Sequence, residues 1–172
     1  MLQKWYDWEC KLFYSINRYF DRKWMNIYFR SITHVGGATF SITAVLLAIW
    51  LLQDEWRDAA IASAAALAFS HIPVAVMKKM YPRKRPYISL RHTRVTKNPL
   101  TDHSFPSGHT TAAFSVIVPF LLYAPTLAVC LLPIAVSVAV SRIYLGLHYP
   151  SDVLAGCMLG TLFGVASFSV IL

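Results

Sequence analysis

The sequence predicts an all-α protein, an integral membrane helical bundle of five spans preceded by an amphipathic interfacial helix, and two observations carry that reading. Of the 172 residues, 56% are hydrophobic and only 14% charged, with a mean hydropathy of +0.49, too apolar for a surface facing water. The apolar residues are also gathered into uncharged runs near the roughly 20 residues a helix needs to cross a bilayer, with short polar connections between them. A chain of this length makes one domain, so residues 1–172 are read as a single unit, 1–30 interfacial and 31–172 transmembrane.

In residues 1–30, Trp5, Trp8, Leu12, Phe13, Ile16, Tyr19, Phe20 and Trp24 recur three and four apart, interrupted by Lys4, Asp7, Lys11, Arg18 and Arg22. That pattern is an amphipathic helix rich in Trp and Tyr, suited to the head-group region, with a break near Asp21. Packing against the rest of the protein is compatible with it. Ser31 to Gln53 is a run of 23 uncharged residues and the first expected span. Ala59 to Met77, 19 uncharged residues rich in Ala, is the second, expected at the centre of the bundle because small side chains let helices approach. Within it, His71 is expected to be satisfied by a neighbouring helix and Pro73 to bend the chain. Ser104 to Ser141 runs 38 residues with no Asp, Glu, Lys or Arg, enough for two spans turning at Tyr123-Ala-Pro125. Val153 to Leu172 is the fifth.

Consecutive spans alternate direction, so the connections 78–102 and 142–152 emerge on one side and are available to one site. The first is a long polar loop holding eight of the sixteen Lys and Arg residues: Lys78, Lys79, Arg83, Lys84, Arg85, Arg91, Arg94 and Lys97.

The formal net charge of +8 implies anionic partners, phosphates or acidic head groups. Nucleic acid is disfavoured, because much of the charge sits in one loop rather than over a face. Cys10, Cys130 and Cys157 are far apart, without metal-ligand spacing, and read as inert thiols. Charges at Lys4, Asp7, Glu9 and Lys11 leave no apolar core for a cleavable signal peptide, so targeting is expected from the first span.

Chemistry concentrates at the ends of the apolar runs. Arg85 and Arg142 offer planar forks that match phosphate, and Lys78 a point charge. Three cations drawn together beside lipid repel unless an anion completes them. Lys79, Arg83 and Lys84 are read instead as juxtamembrane charges meeting head groups. In Pro106-Ser107-Gly108-His109, Ser107 suits a helix cap, Gly108 permits close backbone approach, and the free amides of the first turn attract phosphate oxygens. His148 and Asp152 are four apart, so the carboxylate can fix one imidazole nitrogen and leave the other as nucleophile or base. A divalent metal held by His109, His148 and Asp152 is disfavoured by the cations beside them, so neither metal nor other cofactor is expected.

Lys78 with Arg85-Pro86, then Pro106-Ser107-Gly108-His109, then Ser141-Arg142 with His148 and Asp152, together resemble the type 2 phosphatidic acid phosphatase (PAP2) superfamily, whose motif set vanadium haloperoxidases share. The resemblance covers the central and C-terminal part of the chain, not residues 1–37. It implies that His148 attacks phosphorus to form a phosphohistidine, oriented by Asp152. By the same resemblance His109 protonates the departing oxygen and then activates water, while Lys78, Arg85, Arg142, Ser107 and the Gly108 amide hold the phosphoryl oxygens. Implied substrates are lipid phosphates and pyrophosphates such as phosphatidic acid, phosphatidylglycerol phosphate or undecaprenyl pyrophosphate. Head-group contacts are expected from residues 87–104, with Tyr87, Arg91, His92, Arg94 and His103. The resemblance puts the active site outside the cytoplasm, whereas counting the basic 78–102 loop against the acidic 53–58 turn argues the reverse; the resemblance is preferred. A silent lipid-phosphate binder is the alternative; a peroxidase lacks its large soluble body here and a transporter its midplane polar residues. Oligomeric state is left open. Gly156, Gly160 and Gly164 are expected to pack within the monomer.

Overall fold

The computed structural model describes residues 2–172, with side chains from Gln3 onward. The described residues form eight α-helices in order: α1 (Leu2–Asn17), α2 (Lys23–Ile32), α3 (Ala38–Leu51), α4 (Asp54–Met80), α5 (Pro86–Ser89), α6 (Gly108–Tyr123), α7 (Ala128–Tyr144) and α8 (Pro150–Ile171). The described residues contain no strand. Asp54–Met80, Pro125–Tyr144 and Pro150–Ile171 are long and apolar enough to cross a membrane, and Lys23–Gly36 with Ala38–Leu51, bent by 57°, makes a fourth if the pair is one span. The remaining expected span, third in chain order, is α6, whose 16 residues fall short of a full crossing.

α6 occupies the centre of the bundle, packed on α8 and α4, and buries nine of its residues from Thr110 to Pro119. The Ala-rich α4 was the expected centre; it lies beside α6 instead, between α3, α6 and α8. Two hydroxyls stitch α4 to α6: Ser63 Oγ donates to the Val116 carbonyl at 2.8 Å, and Ser70 and Ser115 share a hydrogen bond of 2.9 Å. Such side chains replace the hydrophobic driving force that lipid does not supply. His71 is satisfied within its own helix rather than by a neighbour, its Nδ1 donating to the Leu67 carbonyl at 2.8 Å.

On α8, Gly156, Gly160 and Gly164 face α6, as expected for packing within the monomer. A Cβ at Gly160 would lie 2.6 Å from the Thr111 carbonyl oxygen and 2.7 Å from Phe114 Cβ. Only bare backbone fits that crossing.

The first apolar run is not one helix. A 3-10 turn, Thr33–Gly36, and extended Gly37 break it before α3. A side chain at Gly36 would lie 2.6 Å from the His109 carbonyl oxygen, so the break lets this backbone reach the start of α6. The N-terminal segment is likewise two helices, with the turn over residues 18–22 where a break was expected. Its outward Trp5, Trp8 and Trp24 are exposed, while Phe13 and Asn17 are buried. Asn17 ties α1 to the bundle, donating from Nδ2 to the carbonyls of Arg94 (2.8 Å) and Tyr144 (2.9 Å) and accepting the Arg94 amide (2.9 Å).

Candidate active site

α7 ends at Tyr144, and the chain reverses through Gly146, whose φ of 74° suits glycine and whose missing Cβ leaves room for the Arg94 carbonyl. The amides of Leu147 and His148 then both fold back onto the Arg142 carbonyl at 3.1 Å. This short turn brings the His148 imidazole next to the end of α7. Pro150 opens α8, and Asp152, in its first turn, accepts the Tyr149 amide at 2.8 Å.

His148 is almost fully buried. Arg85 Nη1 lies 3.1 Å from its Nε2. A guanidinium only donates, so Nε2 presents its lone pair and Nδ1 carries the proton. Nδ1 lies 3.6 Å from Asp152 Oδ2, too far for a hydrogen bond, and has no other partner. Burial is the main force against protonating this imidazole, and Arg142 and Arg85 add to it while Asp152 opposes; the result is a histidine pushed down to about 4. It is a free base at neutral pH.

The three expected cations differ in their engagement. Arg85 is wholly buried: Nε donates to the Asp102 carbonyl (2.8 Å), Nη1 also to the Leu147 carbonyl (2.8 Å), and Nη2 to Asp102 Oδ1 (2.6 Å). Lys78 pairs with the other oxygen of Asp102. Partial burial raises the Asp102 carboxyl, but hydrogen bonds from Lys78 and Arg85 outweigh it and hold the group down at about 2. Arg142, 2% exposed, donates from Nη1 to Thr33 Oγ1 at 2.7 Å and leaves Nε and Nη2 buried without a partner in the protein.

Arg142 and His109 line one cavity of about 400 Å³, together with Thr33, His34, residues 96–100 and Leu147. His109 stands in the first turn of α6, and a side chain at Gly37 would come within 3.8 Å of its Nε2. Ser107 takes the N-cap position, but its hydroxyl pairs with Thr110 Oγ1 at 3.0 Å rather than capping a backbone amide, which corrects the expected cap. Its amide donates to the Asp152 carbonyl at 3.0 Å, locking the start of α6 to α8. A Cβ on Gly108 would meet only Val74 Cγ1, at 3.9 Å, so a small side chain would fit at this position.

Other expectations are corrected. Arg83, read as a head-group charge, is tied into the protein instead: Nη1 donates to Asp152 Oδ1 at 2.7 Å. Of the segment 87–104 expected to meet head groups, Thr96 to Leu100 line the cavity that holds His109 and Arg142, while Tyr87, Arg91, His92, Arg94 and His103 do not. Arg94 is instead paired with Asp21. Sequence reasoning missed Asp102, Thr33 and Ser104, the last donating to Asp152 Oδ2 at 2.5 Å. An acidic residue alone among eight cations was the one available signal, for Asp102.

The chain is 35% identical over 126 residues to YbjG of Escherichia coli (strain K12), a protein whose undecaprenyl-diphosphatase name is provisional; the match covers 69% of this chain and 60% of that one. Aquifex aeolicus LpxE shares the fold with a TM-score of 0.82, at 23% identity, over 93% of this chain and 94% of that one. The first transmembrane PAP2 type phosphatidylglycerolphosphate phosphatase from Bacillus subtilis superposes with a TM-score of 0.69 at 26% identity, over 86% of this chain and 76% of that one. Since the PAP2 superfamily profile matches residues 59–172, the span carrying all three motifs, the chain belongs to the PAP2 superfamily.

Proposed function

We propose that this protein is a membrane phosphohydrolase that releases phosphate from lipid phosphates or pyrophosphates through a phosphohistidine at His148, without a metal ion. The observation that carries the reading is Arg142: a buried guanidinium with two unpartnered nitrogens, lining one cavity with His109, calls for an anionic acceptor, since unpaired buried donors are costly. A phosphoryl group answers it with three oxygens. Arg85 Nη1 turns from His148 Nε2 to a phosphoryl oxygen, the freed Nε2 lone pair attacks phosphorus, the P–O bond to the lipid breaks, and His109, protonated with the phosphoryl anion beside it, gives its proton to the departing oxygen. His109 then takes a proton from water, whose oxygen attacks the phosphohistidine, and phosphate leaves with His148 restored. Lys78, Arg85 and Arg142, with Ser107 and the Gly108 amide, neutralise the equatorial oxygens; in phosphoryl transfer positioning and charge do most of the work.

The substrate classes follow the relatives' names, an undecaprenyl diphosphate for one and phosphatidylglycerolphosphate for another. The site is assigned to the extracytoplasmic face, a reading that labelling of an introduced cysteine at Thr96 by an impermeant reagent in intact cells tests; protection until lysis reverses it. The activity test is phosphate release from a panel of lipid phosphates and pyrophosphates in chelator. Release that disappears in His148→Ala supports the scheme. Activity surviving that substitution rejects the nucleophile, and strict dependence on a divalent ion rejects the metal-free reaction.

A further inference from the structure

Arg83 sits between two carboxylates from opposite ends of the chain. Nη1 donates to Asp152 Oδ1 at 2.7 Å and to Ser151 Oγ at 2.7 Å, and Nη2 donates to Glu9 Oε2 at 2.6 Å. The guanidinium lies over the Tyr149 ring, 3.9 Å from its centroid. The other Glu9 oxygen accepts the Ser151 amide at 2.9 Å and the Ser151 hydroxyl. Glu9 belongs to α1, outside the residues that match the superfamily.

The significance lies in how Asp152 is held. Its Oδ2 takes the Tyr149 amide and the Ser104 hydroxyl and faces His148; Oδ1 has Arg83. A fully buried carboxylate with one oxygen unpaired rotates or takes a proton, and either change spoils the oxygen aimed at His148 Nδ1. We propose that α1 is a working part of the active site, in which Glu9 fixes Arg83 and Arg83 fixes the Asp152 carboxylate that orients His148. Glu9 and Arg83 are positioning residues, touching neither substrate nor the attacking nitrogen. The inference rests on the reading of His148 as nucleophile.

The test uses the full chain in detergent with chelator, taking whichever lipid phosphate or pyrophosphate the wild type turns over fastest, plus orthovanadate affinity as a readout independent of turnover. Arg83→Gln is expected to lower kcat about 10–100-fold, the scale of a misplaced catalytic group, with KM within about threefold, and to weaken vanadate. Arg83→Lys restores part of kcat. Glu9→Gln costs less, about 3–10-fold, and the double variant is no slower than Arg83→Gln, because Glu9 acts through Arg83. A change in KM alone, additive losses, or wild-type kcat in Arg83→Gln, with His148→Ala inactive, overturns the inference and leaves a clasp that merely holds α1. Activity in His148→Ala, or a wild type that neither hydrolyses the panel nor binds vanadate, instead defeats the underlying reading, and the inference with it.

Discussion

Replacing Arg142 by Met separates stability from activity with opposite signs. In the free protein the guanidinium is 2% exposed, with Nε and Nη2 unpaired. Each unpaired buried donor costs about 1–3 kcal/mol, and more when charged, whereas the one bond to Thr33 Oγ1 returns roughly 1.5–3 kcal/mol. Methionine, shorter but apolar and adaptable in packing, removes the two costs and the one gain, a net stabilisation on the order of 1–2 kcal/mol. Activity moves the other way. Two charge-assisted hydrogen bonds to phosphoryl oxygens are worth about 3–6 kcal/mol together, which corresponds to about 10²–10⁴-fold in kcat/KM. Thermal unfolding in detergent with and without phosphate, alongside steady-state hydrolysis, reads both quantities. The wild type is expected to gain stability from phosphate and Arg142→Met to gain little. A variant that melts below the wild type in anion-free buffer and keeps kcat/KM within tenfold refutes the assignment of Arg142 as an unsatisfied anion clamp.

Gly160→Ala puts a methyl 2.6 Å from the Thr111 carbonyl oxygen and 2.9 Å from the Ser115 amide, both backbone, and is expected to cost about 1–3 kcal/mol in thermal unfolding; an unchanged melting temperature means the α6–α8 crossing is looser than described. Because folded His148 titrates at about 4 against an ordinary 6.5, the unfolded chain binds the extra proton between those values. Its contribution to stability is therefore full above about pH 6.5 and lost as pH falls toward 4, a slope that His148→Gln should flatten. Asp102, held at about 2, adds a second loss below its ordinary 3.8. His109→Ala is expected to slow a phosphomonoester more than a pyrophosphate in the same preparation, because an alkoxide leaving group needs the proton more than a phosphate does; equal losses count against His109 as the acid.

Much of the bundle is legible in the sequence because lipid imposes a strong local rule: uncharged runs of spanning length mark α4, α7 and α8 without knowledge of their neighbours. The break at Gly37 is not legible in this way. It depends on Gly36 meeting the His109 carbonyl, a contact across 73 residues that no local pattern encodes. The same division runs through the site. His109, Arg142, His148 and Asp152 stand out because their residue types are costly at the ends of apolar helices and their spacing is fixed. Arg83 looked like its neighbours Lys79 and Lys84, since only the folded chain sets it beside Asp152 and Glu9. Asp102 read as a lone offsetting charge, and its pairing with both Lys78 and Arg85 emerges only when the loop closes over the end of α4. Asn17, 1% exposed, belonged to an amphipathic pattern that marked its helix as interfacial; its three bonds to the Arg94 and Tyr144 backbone dock that helix on the bundle.

The measurement that bears most directly on the central claim follows the phosphorus atom itself. His109→Ala is treated with a lipid pyrophosphate labelled at its terminal phosphorus, quenched in alkali and digested, and the labelled peptide is sequenced. The account predicts an acid-labile, alkali-stable phosphoryl group on His148 that accumulates because the water-activating imidazole is gone. Label on any other residue, or phosphate released with no protein-bound label at any time in the wild type or the variant, contradicts it.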